Sequence, residues 1–428
     1  MIPTLPAPGC DDPCNPGPGC PLPPPECGGG SGETLDKKKP AGKITVWDSN
    51  LGMEVPVKRT RVVARRWFKI DVVYTNDQGE FKCNKRFVNK VNILVKFLNN
   101  NITIHGLRTP RLWQMWFPIK KGIGIYSGNL SNISYRFNQN TLEPHSRTNR
   151  NWWAAQTMNS QVEFNEMAAA NNIGGLPSFL RILLTGWANA RGAGSAPMNG
   201  HRNPQIVPPL WINYFVLNPA HTGFASTLNW LYNGILIRKT DMTIGYDKNL
   251  QSDQVKSLIY HEMAHAAHYN KVGDNWWNEL VNAETYEITR FGLNGAQSPY
   301  GIGDDGEMSG RIALAESWAE HIGRVMTDTK YGTTSSAQYN QGEFYENNSP
   351  VIGLSSHLNL LEDFSPNRVS DPFRWIPYGV YYDLMDSRND YNFNAILPID
   401  NVSGYSSQKC FNALDNDVKT IPEMDGAV

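Results

Sequence analysis

Net charge, cysteine in the main body and long apolar runs are all scarce in this chain of 428 residues. Its 39 basic and 40 acidic residues leave a formal charge of −1. No global field therefore draws nucleic acid or an anionic surface, nucleic acid is not an expected partner, and partner choice falls to local sites. Four of the six cysteines, Cys10, Cys14, Cys20 and Cys27, lie in the first 27 residues, so only Cys83 and Cys410 remain for the rest. That excludes a disulfide framework in the folded part. No stretch approaches the roughly 20 continuous apolar residues of a membrane span, and the N-terminus has no apolar signal-peptide region. What is there, 40% hydrophobic and 18% charged residues, is the composition of a globular protein with room for two or three domains. Thirteen Trp and 18 Tyr are many for this length and serve cores and substrate clefts alike.

Residues 1–40 read as a tail or linker. The first 27 carry ten of the 28 prolines and precede a GGGSG run, a composition that cannot form a core. The cysteine spacings do not repeat the paired CxxC of a zinc ribbon, which leaves disulfides or free thiols in a tail. Leu5 to Cys10, followed by Asp11-Asp12, resembles the processed end of a bacterial lipoprotein. The resemblance implies a lipid anchor through Cys10, a tail acting as spacer, and a place at the bacterial cell surface or outside the cell. The other reading is a low-complexity leader without an anchor.

From Gly42 the texture changes to short Val/Ile-rich runs broken by Asn, Asp and Gly: GKITVWDSN, VPVKRTRVVARRW, KIDVVYTNDQGEFKC and VNILVKFLN. These predict small antiparallel strands, and residues 41–105 read as a β-sandwich. The order Gly-x-Ile-x-Val, Pro-Val, then Tyr74 to Phe81 resembles the transthyretin-like, carboxypeptidase-regulatory-like modules, which implies a spacer or docking unit without catalysis. Residues 106–428 form the second unit. NITIHGL, GIGIYSGN and ISYRF predict further strands, and NWWAAQTMNSQVEFNEMAAANNI predicts a helix ending near Gly174-Gly175. Leu176 to about Gly200 predicts a short helix and a Gly-rich loop. ILI at 235–237 and MTIGY at 242–246 predict strands, the latter as a sheet edge over a cleft.

The run SLIYHEMAHAAHYN, residues 257–270, carries the chemistry. Ser252 and Asp253 suit a helix cap. At about 100° per residue, Val255, Leu258, Ile259, Met263, Ala266 and Ala267 share one face, while His261, His265 and His268 cluster opposite with Glu262 at the border. Imidazoles at i and i+4 converge as a tetrahedral Zn²⁺ requires, and the neighbouring Glu reaches a water in the open position. An HExxH arises by chance in on the order of one such chain in a hundred. The alternative, a solvated helix face, sits poorly with an Ala-rich apolar helix, because buried imidazoles and carboxylates need partners.

A catalytic zinc needs a third protein ligand. His268 lies about 10 Å along the axis from His261, too far for one ion to join all three. The metzincin pattern would need Gly at 268 and His at 271, where this chain has His268 and Lys271. Two glutamates compete. Glu284 follows His265 after eighteen residues, a spacing that resembles the aminopeptidase branch of the gluzincins. Glu316 and Glu320 stand i and i+4 on a predicted helix whose apolar face holds Ile312, Ala315, Trp318, Ala319 and Ile322. That pairing resembles the ExxxD/E helix of gluzincins, with Glu316 as ligand and Glu320 orienting a ligating His. Glu316 is the preferred ligand and Glu284 the alternative.

Together these features resemble a gluzincin-type zincin metallopeptidase. The fold expected is α+β, a small β-sandwich followed by a zincin-like domain. The resemblance implies a Zn²⁺-dependent hydrolase acting on a peptide or protein substrate as a monomer, with Glu262 as general base and a Tyr stabilising the oxyanion. Tyr300 is the first candidate for that Tyr, ahead of Tyr378, Tyr381 and Tyr382. The competing class is a surface lipoprotein that binds carbohydrate or protein through a catalytically silent zincin fold.

Overall fold

The computed structural model describes residues 36–107, 117–186, 194–202, 240–246, 249–287, 290, 300, 306–332, 376–377, 380–385 and 404–427. The cysteines of the tail, the predicted strand at 235–237 and Tyr378 lie outside them. The fold is α+β, with β-sheets leading and packed helices following.

Nine strands come first: β1 (Ala41–Asp48), β2 (Met53–Pro56), β3 (Arg61–Arg66), β4 (Lys69–Tyr74), β5 (Glu80–Lys82), β6 (Val91–Lys96), β7 (Ile102–Leu107), β8 (Lys120–Tyr126) and β9 (Ile133–Phe137). One sheet runs β2-β1-β5 with β9 parallel to β1, and a second runs β4-β3-β6-β8. The period-2 pattern puts Val91, Ile93 and Val95 of β6 inward, and Ile44, Val46, Ile133 and Phe137 come from the other sheet into the same core. Phe97 and Phe137 join the two with ring centroids 5.2 Å apart. Each such side chain contributes about 1.5–3 kcal/mol on burial. The strands that complete these sheets, β8 and β9, come from beyond position 105. By contrast β7 leaves the sandwich and pairs in parallel with β10 (Leu180–Thr185).

That third sheet runs β11-β12-β10-β7, with β11 at Gly194–Ser195 and β12 at Met242–Gly245. Two expectations are corrected here. Residues 180–185 form a strand, not a short helix: LRILLT is a brief apolar run buried between parallel partners on both sides, where periodicity cannot tell helix from strand. And β12 is not the edge, because β11 pairs antiparallel on its free side, Gly194 opposite Ile244 and Ser195 opposite Thr243.

Helix α1 (Arg147–Ala170) is capped by the Ser146 side chain, which accepts from Asn149 N at 3.1 Å. It is buried along most of its length despite many polar residues. Those residues serve backbone that would otherwise lack partners: Trp152 Nε1 donates to Trp47 O at 2.7 Å, and Asn159 Nδ2 donates to Pro56 O at 2.8 Å. Next come α2 (Ser252–Glu287), α3 (Glu307–Tyr331), α4 (Val380–Met385), α5 (Ser407–Ala413) and α6 (Ile421–Ala427). Helices α2 and α3 pack against each other, and they carry the site.

The start of α2 is fixed by the sandwich. Ser49 Oγ accepts from Ser252 N at 2.8 Å and Asn50 Oδ1 from Asp253 N at 2.9 Å. Buried Asp48 shapes that turn by accepting from Asn50 N and Leu51 N at 3.1 and 3.2 Å, and it takes the Tyr331 hydroxyl of α3 at 2.8 Å. Glu163 of α1 does similar work lower down. It accepts from Lys256 Nζ of α2 and Lys330 Nζ of α3, both at 2.6 Å, and from the Tyr260 hydroxyl.

Candidate metal centre

His261 and His265 stand one turn apart on α2, their Nε2 atoms 3.1 Å from each other. Helix α3 can approach them because Gly323 sits at the crossing. A Cβ there would lie 3.2 Å from Ser257 O and 3.3 Å from His261 Cβ. About two turns earlier on α3, buried Glu316 reaches both rings, Oε2 at 3.3 Å from His261 Nε2 and Oε1 at 3.3 Å from His265 Nε2. These three residues form a group whose ligand atoms lie within 4.8 Å of one another. Tetrahedral donors about 2.0–2.1 Å from a zinc ion would be spaced about 3.3 Å apart. The two imidazole nitrogens stand near that spacing, and each lies 3.3 Å from one oxygen of the Glu316 carboxylate.

Glu320, one turn beyond Glu316, has Oε2 3.4 Å from His261 Nδ1 and is itself paired with Arg324. It therefore faces the ring nitrogen that points away from the group, where it can orient the imidazole. Glu284 is buried but is not a member of the ligand group. Burial, with Glu316 and Glu262 adding, holds its carboxyl well above the usual range, and Arg202 opposes this. His268 is likewise outside the group. Its ring lies 4.7 Å from that of Trp276 and 5.5 Å from that of Trp277, and burial pushes it down to about 3, so it is neutral.

Glu262 is 3% exposed, and its Oε2 has no hydrogen-bond partner among the described residues. Burial pushes its carboxyl up to about 8, with His261 opposing and Glu316 adding. A backbone covers it: a Cβ on Gly194 of β11 would lie 2.3 Å from Glu262 Oε1 and 2.6 Å from its Cγ. Only a glycine allows β11 to run this close. Nothing in the sequence marked Gly194 beyond its place in a Gly-rich loop. Arg202 was missed too. It is buried, donates to Pro197 O and Asn199 Oδ1 at 2.6 Å and pairs with Asn278, close enough to bear on Glu284.

The second half of α2 folds back through Gly273, at φ 79° and ψ −173°. That conformation is essentially restricted to glycine, and it brings Trp277 against the site. The Trp277 ring lies 6.1 Å from that of His265, and its Nε1 donates to Ala196 O at 3.1 Å, just past β11. Of the tyrosine candidates, Tyr300 is half-buried against the core. Tyr381 is fully buried, with its ring 5.2 Å from that of Trp318, and the Tyr382 side chain lies outside the described residues. The two main-body cysteines are buried and free, and burial pushes Cys83 up to about 12 and Cys410 up to about 11. Neither is suited to nucleophilic chemistry.

The electrostatics favour a cation. Burial disfavours the charged form of Glu316, but the two imidazoles more than offset it and hold the carboxyl below its usual range. His261 is pulled well above its ordinary value by Glu316 and Glu320 against the opposing effect of burial. Without an ion, protons must balance the crowded carboxylates, and a dication can replace them. The fold is thus mixed α+β, and its two central helices form a buried His–His–Glu group able to hold a metal ion.

Compared with known proteins, the sequence matches no family model and no curated protein. Among solved structures, a 9R-lipoxygenase from Cyanothece PCC8801 aligns at 12% identity over 32% of this chain and 25% of its own, with a TM-score of 0.14. A score that low carries no argument about fold or activity.

Proposed function

We propose that this chain is a zinc-dependent peptidase of the gluzincin type, with His261, His265 and Glu316 as ligands, Glu262 as general base and Glu320 orienting His261. The observation that carries the reading is a buried carboxyl with an unpartnered oxygen, Glu262, beside three residues whose ligand atoms lie within 4.8 Å of one another. A site that only held a structural ion would have no use for it.

When bound, zinc supplies a Lewis acid that polarises a scissile carbonyl and brings the pKa of water toward about 7. Glu262 takes the proton of the attacking water and delivers it to the departing amine, a task suited to a carboxyl whose burial moves it toward neutral pH. Glu320 holds the His261 ring through Nδ1. An extended peptide pairs with the outer side of β11, which among the described residues has only β12 as a neighbour. Tyr300 is proposed as the oxyanion donor. The proposed substrate is a peptide or protein, and the resemblance of the tail to a lipoprotein end supports a proposed location at the cell surface or outside.

Metal analysis of wild type, Glu316→Gln and Glu284→Gln tests the ligand set. About one zinc per chain, lost in the first variant and kept in the second, is expected. A quenched-peptide library, with Glu262→Gln as control, then tests hydrolysis. Zinc bound with no turnover on any peptide would favour the catalytically silent binding protein instead.

A further inference from the structure

Far from the helices in sequence, the β3–β4 hairpin ends in a two-residue turn of Trp67 and Phe68, between the paired Arg66 and Lys69. Trp67 is 80% exposed and Phe68 is 99% exposed. Two-residue hairpin turns favour Asn and Gly, because they require positive φ. Trp67 has φ 47°, a conformation that a bulky aromatic rarely adopts. Neither the turn nor the core gains from aromatic rings here. They need another reason to be present.

The surroundings supply one. Arg65 and Lys69 are exposed on either side of the pair, and Arg66 is half-buried. The loop from Asn84 to Lys90 is fastened alongside: Asp71 Oδ2 accepts from Asn84 N and Lys85 N at 2.6 and 2.7 Å, and Lys85 Nζ donates to Ile70 O at 2.7 Å. That loop adds exposed Val88, at 72%, and the cations Lys85 and Lys90. Among the described residues no carboxylate pairs with any of these five cations. Arg86 is the exception in the loop, paired with Asp36 at 2.7 Å. Asp36 is the first of the described residues, and Lys38 O accepts from Phe87 N at 2.7 Å, so residues 36–40 run along this same end.

We propose that this end of the sandwich docks on an anionic lipid surface, with Trp67 and Phe68 entering the interface and the surrounding Arg and Lys meeting lipid phosphates. Aromatic rings 80% and 99% exposed at a hairpin turn and flanked by cations suit the headgroup layer. A chain of net charge −1 gains no such attraction from its overall charge. The proposal is independent of the metal site.

The test is co-sedimentation of the full, unacylated chain with vesicles of phosphatidylcholine alone or with about one-third phosphatidylglycerol. Wild type should sediment with the anionic vesicles only. Trp67→Asn with Phe68→Gly removes both rings and puts at 67 a residue that tolerates positive φ, so the fold is kept, and it should weaken partitioning at least about tenfold. Replacing Arg65, Arg66 and Lys69 by Gln should weaken it roughly a hundredfold, from about 1 kcal/mol for each charge. Equal binding to neutral vesicles, no binding, or an Asn-Gly variant that binds like wild type overturns the proposal. So does self-association that the Asn-Gly variant abolishes without any lipid binding, which would make this end a contact between two copies.

Discussion

Gly194→Ala isolates the role of β11 from that of the metal ligands. The added methyl would stand 2.3 Å from Glu262 Oε1, 2.6 Å from Cγ and 2.7 Å from Cδ. Carbon and oxygen atoms at van der Waals contact are about 3.5 Å apart, so either the carboxylate or the strand must retreat by about 1 Å. A misplacement of that size costs about a hundredfold in rate, or about 2.7 kcal/mol of transition-state stabilisation. The three atoms nearest the methyl all belong to Glu262 and to none of the ligands, so zinc content should stay at wild-type level. Turnover on the best library peptide, metal content and thermal midpoint should be measured together. A variant that keeps full turnover refutes the argument that Glu262 is held in place by this backbone. Loss of zinc alongside turnover would instead mean that β11 supports the ligand helix.

Two further predictions concern stability. Glu163 joins three helices, and Lys256 and Lys330 outweigh the effect of burial to hold its carboxyl at about 2. A carboxyl depressed on folding contributes stability that is present above about pH 4.5 and lost as pH falls toward 2. Glu163→Gln leaves Lys256 buried without its countercharge and should cost about 3–5 kcal/mol at neutral pH. A denaturant midpoint unchanged at pH 7 would contradict that. His201 is the opposite case. Asp241, 2.9 Å from Nδ1, raises its pKa against burial. Its contribution is fully present below about pH 6.5 and disappears as pH rises through the raised value. His201→Gln should flatten the pH dependence of the thermal midpoint in that window, and parallel curves for the two proteins would count against the pair.

Legibility differed with the kind of signal. The HEMAH helix and the Glu316 helix could be read because helical spacing fixes which side chains share a face, and the same spacing put Glu320 one turn from Glu316. The i, i+4 pairing with Glu320 favoured Glu316 over Glu284, but the physical reason, the helix crossing at Gly323 that lets α3 approach the rings, was not legible, since both glutamates are buried. The first strands could be read from alternation. The strand at 180–185 could not, because a central parallel strand is apolar on both faces. The edge role of β11 was hidden for a simpler reason. Two residues of Gly and Ser carry no periodicity, and their importance lies in an absent side chain. Trp67 closed one run of strand residues and Phe68 fell between that run and the next, because exposure is a property of the turn and not of the letters.

Metal removal tests the electrostatic account most directly. The folded chain buries Glu262, Glu284 and Glu316 beside two imidazoles, and the fixed cation near them is Arg202, whose own charge burial disfavours. A ligand that binds only the folded state adds RT ln(1 + [L]/Kd), which is about 4 kcal/mol at a thousandfold excess over Kd. Stripping the ion with a chelator should therefore lower the thermal midpoint by several degrees, and zinc should restore it. Because ligand protonation competes with the ion, the restoring effect should weaken as the pH is lowered. Glu316→Gln should show no response to zinc while keeping its packing between the helices. If wild type melts at the same temperature with and without zinc, the carboxylates are balanced by protons alone and the convergence of His261, His265 and Glu316 is a packing arrangement.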